Sequence, residues 1–251
     1  MPLAPERWPP ADNPAPLDAG PPQAEPVEQL LANQLSVDRA DASAASTWAL
    51  AVLRRLRRYD YAAYRSVARL SAPLLDEPLR RVSGYANFSK PWFITAGFLA
   101  LFGGPRGRRA ALTGLAAVGA TSLVVNQPMK LIGERHRPDR DRLGVPQQRW
   151  VTMPSSTSFP SGHSASAAAF AVAVGDLLPA LKLPLRGAAS VVAFSRVYTG
   201  VHYPSDVLVG VTVGALLGRM ASIVARRTRG APARQPQAES PMPGKPMRQL
   251  V

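Results

Sequence analysis

Residues 160–174 read Pro160-Ser161-Gly162-His163-Ser164-Ala165-Ser166-Ala167-Ala168-Ala169-Phe170-Ala171-Val172-Ala173-Val174. A short polar turn leads directly into an Ala-rich run, and the apolar character continues to about Leu181. A segment of this length and composition predicts a helix spanning most of a bilayer, with reactive side chains at its entrance. Four more apolar segments flank it. Upstream lie about Tyr85 to Gly104, with Trp92 and Phe93 as interfacial anchors and Lys90 inside it, and about Ala110 to Pro128, rich in small residues that permit close helix packing. Downstream lie the short stretch Leu185 to Val197 and the stretch Asp206 to Ala225, ended by Arg226, Arg227 and Arg229.

The pattern predicts an all-α fold, an integral membrane bundle of about five transmembrane helices with its core over residues 85–226. Short Ala- and Gly-rich helices also suit the interior of a soluble all-α protein, but their succession with basic ends favours the membrane. Residues 46–84 form an amphipathic helical region, with Trp48, Leu50, Val52, Leu53 and Leu56 set among Arg54, Arg55, Arg57 and Arg58. It either lies along the membrane surface or packs as a solvated helix on the bundle. Residues 1–45, rich in Pro and Ala, and the basic stretch 227–251 are expected to be disordered tails. These polar ends bring the whole-chain mean hydropathy to −0.04 and conceal the apolar centre. No basic start followed by an apolar core marks a secretory signal.

Cysteine is absent, which excludes disulfides, thiolate catalysis and thiolate metal sites. The formal charge of +14 raises nucleic-acid binding. No basic stripe interleaved with aromatics, zinc finger or basic zipper accompanies it, so no nucleic-acid partner is expected. The charge suits an anionic membrane surface and a phosphorylated substrate instead.

Three polar clusters sit at the ends of the apolar segments: Lys130 with Arg137-Pro138, Pro160 to His163, and Ser195-Arg196 with His202 and Asp206. Tracing the chain through the bundle puts all three on one face. Lys130, Arg137 and Arg196 supply three cations, and guanidinium forks match phosphate oxygens. Ser161 and Gly162 precede a helix whose free N–H groups favour an anion, and Gly162 lets backbone approach it closely. His163 and His202 divide the roles of general acid and nucleophile, and Asp206 suits the orientation of an imidazole. His136 has no partner pattern and is expected to be exposed.

Lys130 to Pro138 resembles the Lys-six-residues-Arg-Pro motif of the type 2 phosphatidic acid phosphatase and vanadium haloperoxidase superfamily. Pro160 to His163 resembles its Pro-Ser-Gly-His motif, and Ser195 to Asp206 its Ser-Arg-five-residues-His-three-residues-Asp motif. The resemblance covers about residues 85–225, and residues 61–90 are similar to the segment preceding the first motif in actinobacterial members. It implies that His202 is the nucleophile, that Asp206 orients it and that His163 protonates the leaving alkoxide. Lys130, Arg137, Arg196, Ser161 and the Gly162 amide would hold the phosphoryl oxygens, with no cofactor and no metal. The implied activity is hydrolysis of a lipid or polyprenyl phosphate or diphosphate through a phosphohistidine in a multi-pass cell-membrane protein. A vanadate-dependent haloperoxidase and a non-catalytic lipid-binding membrane protein are the alternatives. Sidedness stays open: five spans from a cytoplasmic N-terminus place the site inside, whereas the basic turns at 106–109 and 226–229 argue for outside. Oligomeric state has no sequence signal.

Overall fold

The computed structural model describes residues 47–130 and 135–230. The tail at 1–45 and most of that at 227–251 lie outside the described residues. Among the described residues seven α-helices run in order: α1 (Thr47–Ala68), α2 (Pro73–Tyr85), α3 (Lys90–Phe102), α4 (Gly104–Val124), α5 (Gly162–Leu177), α6 (Lys182–Tyr198) and α7 (Pro204–Gly230). No strand occurs among the described residues.

The quoted segment becomes α5, and α5 is the centre of the bundle. Every residue from Ser164 to Ala171 is buried, so all faces of the helix are covered rather than one stripe. Small side chains make this possible. On α7, Gly210, Gly214 and Gly218 recur every four residues, and a Cβ at any of them would collide with the backbone of Ser161, Ala165 or Ala169. The two helices therefore touch through bare backbone. Gly114 of α4 gives the same close fit to Phe170 and Val174, and Trp92 of α3 packs on Phe170 with ring centroids 5.4 Å apart.

The face of α7 opposite its glycines exposes Leu208, Leu216, Met220 and Val224. Among the described residues two helices, Gly104–Met129 and Pro204–Thr228, are long and apolar enough to cross a membrane. On α3, Phe93, Ile94, Phe98, Leu101 and Phe102 are likewise exposed.

The expected span from Tyr85 to Gly104 changes. The segment from Tyr85 to Gly104 is not one continuous helix: Asn87–Ser89 form a tight turn with Phe88 and Ser89 both left-handed, at φ 56° and 57°. Lys90, expected inside a span, therefore sits exposed at the start of α3. The region 46–84 is two helices, and its inner face packs on the bundle. Tyr61, Tyr64 and Ala68 of α1 share a buried cluster with Val197, Tyr203 and Val207.

Candidate active site

Helix ends at one end of the bundle deliver the three motifs. Beyond Val124, α4 widens into a π turn over Val125–Met129 around Pro128, which has no N–H to donate, and presents Lys130. α5 starts at Gly162-His163, α6 brings Ser195-Arg196 to its last turn, and Pro204 opens α7 two residues after His202. Lys130, Arg137, Gly162, His163 and His202 together line a cavity of about 620 Å³. Its other wall is apolar, formed by Phe88, Phe93, Leu115 and Val118.

His202 is 2% exposed. Its Nε2 lies 3.3 Å from Arg137 Nη1, and its Nδ1 lies 3.5 Å from Ser158 Oγ and 3.7 Å from Asp206 Oδ2. A guanidinium only donates, so the Nε2 beside it carries the lone pair, and the ring proton resides on Nδ1. The nitrogen with the lone pair is thus the one beside the cations. Burial, together with Arg137 and Arg196, pushes the ring pKa down to about 4 against the opposing pull of Asp206.

Asp206 is fully buried and held from three directions. Ser158 donates to Oδ2 at 2.5 Å, the Tyr203 amide to Oδ2 at 2.9 Å, and Arg135 Nη1 to Oδ1 at 2.8 Å. The Tyr203 contact is the reach-back half of a capping box, so the carboxylate also anchors the start of α7. Ser158 lies beside the pair, its Oγ within 2.5 Å of Asp206 Oδ2 and 3.5 Å of His202 Nδ1, while carboxylate and imidazole also face each other at 3.7 Å.

The cations fall into two kinds. Arg135 is neutralised: it bridges Asp206 to Asp60 of α1 (2.6 Å) and lies 3.8 Å over the Tyr203 ring. Burial opposes its charge, but Asp206 and Asp60 hold its pKa above the usual value. Lys130, Arg137 and Arg196 have no carboxylate partner among the described residues. Lys130 donates to Ser156 Oγ at 3.0 Å, and Arg137 to the Ser156 and Val201 carbonyls at 2.8 Å each. Burial and the neighbouring Arg137 lower the Lys130 pKa. Arg196, 1% exposed, donates to Ser83 O and Oγ, and its buried Nε has no partner among the described residues. Lys130 and Arg137 thus meet His202 on the cavity wall, an arrangement that suits an anion, while Arg196 is buried and is not among the residues lining the cavity.

The remaining expected residues divide. His163 lines the cavity and meets Asn87 Oδ1 at 2.9 Å, so with the amide oxygen accepting, Nε2 carries the proton. Asn87 is held there by the left-handed pair Phe88-Ser89, a conformation that costs about 1–2 kcal/mol per residue. Gly162 lines the cavity, while the Ser161 hydroxyl is buried against Ser164 Oγ at 2.9 Å and does not line it. His136 is exposed. Sequence reasoning missed Asp60, Ser83, Asn87, Arg135, Ser156 and Ser158. Arg135 lay inside the first motif, and Asp60 was the lone acid on an arginine-rich helix. Neither residue type carried a partner at readable spacing.

Comparison with known proteins decides the family. A model described as the PAP2 superfamily matches residues 110–229. The decaprenylphosphoryl-5-phosphoribose phosphatase of Mycobacterium tuberculosis is 36% identical over 167 residues, covering 62% of this chain and 86% of that protein. The chain belongs to the PAP2 superfamily. This PAP2 protein is similar over a shorter stretch to the lipid A 1-phosphatase of Rhizobium johnstonii, 40% identical over 70 residues, or 28% of this chain and 29% of that one. Among solved structures, the transmembrane PAP2 type phosphatidylglycerolphosphate phosphatase of Bacillus subtilis shares its fold at TM-score 0.53 and 24% identity, covering 83% of this chain and 98% of that chain. Aquifex aeolicus LpxE does so at TM-score 0.51 and 24% identity, covering 66% and 93%. As a PAP2 protein the chain is a phosphoric ester hydrolase of membrane lipid metabolism.

Proposed function

We propose that this PAP2 protein is a multi-pass membrane phosphatase that removes a terminal phosphate from a lipid- or polyprenyl-linked substrate through a phosphohistidine on His202. The observation that carries the reading is the meeting on one cavity wall of Lys130 and Arg137, cations without a carboxylate partner among the described residues, with buried His202, whose Nε2 lies 3.3 Å from Arg137 Nη1. In this reading Nε2 attacks phosphorus while the bond from phosphorus to the leaving oxygen breaks. His163, taken to the imidazolium when the anionic phosphate enters, gives one proton to that oxygen and returns to the neutral ring, and the cations stabilise the charge spread over the equatorial oxygens. Water then attacks the phosphohistidine, His163 takes up a proton from it, and phosphate leaves with His202 restored. Asp206, aided by Ser158, keeps the His202 proton on Nδ1 and favours the imidazolium-like transition state.

The apolar wall of Phe88, Phe93, Leu115 and Val118 suits a lipid tail entering from the bilayer, and Phe88 is 85% exposed at the mouth. The exposed apolar faces of α3, α4 and α7 support a bundle of about five spans with short α5 in the middle. The relative named for decaprenylphosphoryl-5-phosphoribose supports a polyprenyl-linked substrate.

The test is phosphate release by detergent-solubilised protein from phosphatidic acid, phosphatidylglycerol phosphate and polyprenyl phosphates with EDTA present. Release that survives EDTA and is blocked by vanadate, a mimic of pentacoordinate phosphorus, is the expected result. Halide oxidation with vanadate and no phosphate release would identify a haloperoxidase instead. Lipid binding without turnover would leave a non-catalytic protein.

A further inference from the structure

Ser156 lies on the wall of the active-site cavity with Lys130, Arg137, His163 and His202, and none of the three sequence motifs includes it. We infer that Ser156 is a further phosphate-binding residue of this site, its hydroxyl donating to a phosphoryl oxygen that Lys130 and Arg137 also hold. The inference rests on the phosphatase reading and adds a ligand to it.

The hydroxyl is saturated on its acceptor side. Lys130 Nζ donates to Ser156 Oγ at 3.0 Å, and Arg137 Nη2 donates to it at 3.3 Å. An ammonium and a guanidinium can only donate, so both lone pairs of the hydroxyl are engaged and its proton points elsewhere. Among the described residues that proton has no acceptor, and the side chain borders the cavity. Two cations on the oxygen also polarise its O–H bond, which strengthens it as a donor to an anion. An anion bound between Lys130 and Arg137 therefore meets a third donor on the same wall.

The backbone holds this hydroxyl in place. Thr152, Pro154 and Ser156 border the cavity at alternate positions of a segment outside any helix. Arg137 Nε donates to the Ser156 carbonyl at 2.8 Å, and the Ser158 amide donates to the Arg135 carbonyl at 2.8 Å. Residues 156–158 are thus tied alongside residues 135–137. The two serines of this strap serve opposite sides of the imidazole. Ser158 sits by Nδ1 of His202 and donates to Asp206, whereas Ser156 sits on the cations, of which Arg137 adjoins Nε2. Ser161, the motif hydroxyl expected on the phosphate, is buried against Ser164 instead. Ser156 supplies the hydroxyl that Ser161 does not.

The rival role for Ser156 is to hold the two cations without touching the substrate. The experiment is calorimetric titration of the full-length protein in detergent with inorganic phosphate and with methylphosphonate, at an alkaline pH where both are dianions. Methylphosphonate lacks one oxygen and can turn its methyl group towards a missing donor. Ser156→Ala should weaken phosphate binding by about ten-fold and methylphosphonate binding by much less, so that the wild-type preference for phosphate narrows. Ser156→Thr, which keeps a hydroxyl, should restore the preference, and Ser155→Ala at the exposed neighbouring position should match wild type. Melting temperatures should stay close to wild type, because Ser156 is itself exposed. Equal losses for the two anions would mean that Ser156 only holds the cations, and would overturn the inference. So would phosphate binding that is unchanged or tighter in Ser156→Ala, the result expected if the hydroxyl merely fills the anion's place. The expected pattern without phosphate release from any lipid phosphate would support Ser156 as an anion ligand while overturning the phosphatase reading.

Discussion

The bundle core of α4–α7 and the α1–α2 pair over its cavity-bearing end are held by opposite means. The core closes through the absence of side chains: Gly210, Gly214 and Gly218 lie on the α5 backbone, and Gly114 admits Phe170. The pair is held largely through polar and charged groups. Asp60 grips Arg135 and Ser205, Ser83 receives Arg196, and Asp76 accepts from Arg149 (2.7 Å) and Tyr198 (2.5 Å). Several of those contacts, to Arg135, Ser205 and Arg196, reach the segments that line or flank the cavity. The core sets where the motifs converge, and the outer pair supplies the counter-charges and acceptors that let buried cations and a buried aspartate coexist.

This contrast can be broken at several points. The largest effect is expected in the core. Gly214→Leu forces side-chain atoms into the Ala165 carbonyl, and the helices must part. No monodisperse folded protein should survive size-exclusion chromatography in detergent, whereas Leu216→Ala on the opposite face of α7 should behave as wild type. Next comes the charged bridge. Arg135→Gln leaves Asp60 and Asp206 without their common cation and should cost about 3–5 kcal/mol of stability, with kcat reduced about a hundred-fold. Asp60→Asn should lower kcat about ten-fold with KM little changed. Steady-state kinetics on the double variant tests the coupling: its loss should match that of Arg135→Gln alone, and simple multiplication of the two would separate α1 from the site.

A smaller effect follows from His202. Its ring binds a proton below about 6.5 in the unfolded chain and only below about 4 in the folded one. Between those values the unfolded state holds more protons. The stabilisation is therefore complete above about pH 6.5 and declines as pH falls towards 4, by on the order of 3 kcal/mol. Thermal melts of wild type and His202→Gln across that window should converge at the acid end. The smallest effect is at Asn87. Asn87→Ala removes the acceptor that aligns His163 and should slow lipid phosphates several-fold. An aryl phosphate, whose leaving group needs little protonation, should be nearly unaffected.

The same division explains what the sequence disclosed. The motif residues were legible because their spacing is local and each type has a phosphate-related role, and the central helix was legible from its alanine run. The supporting residues were not. Asp60 and Arg135 are 75 positions apart, Asn87 and His163 76, and Ser83 and Arg196 113. A periodicity argument sees only one element at a time, so the arginines of α1 were visible as a polar face while inward-facing Asp60 was not. The break at Phe88-Ser89 was equally hidden, because two left-handed residues without glycine or asparagine give no turn signal. Ser161 shows the reverse case: the motif placed it among the phosphate ligands, and its hydroxyl is turned to Ser164.

The central claim is a covalent phosphohistidine at His202. The direct measurement is rapid acid-free quenching of enzyme with phosphorus-32-labelled lipid phosphate, followed by mapping of the labelled peptide. An acid-labile, base-stable phosphoryl group on the peptide containing His202, absent in His202→Ala together with all turnover, is the predicted result. A label on any other side chain, or normal turnover by His202→Ala, would contradict the account.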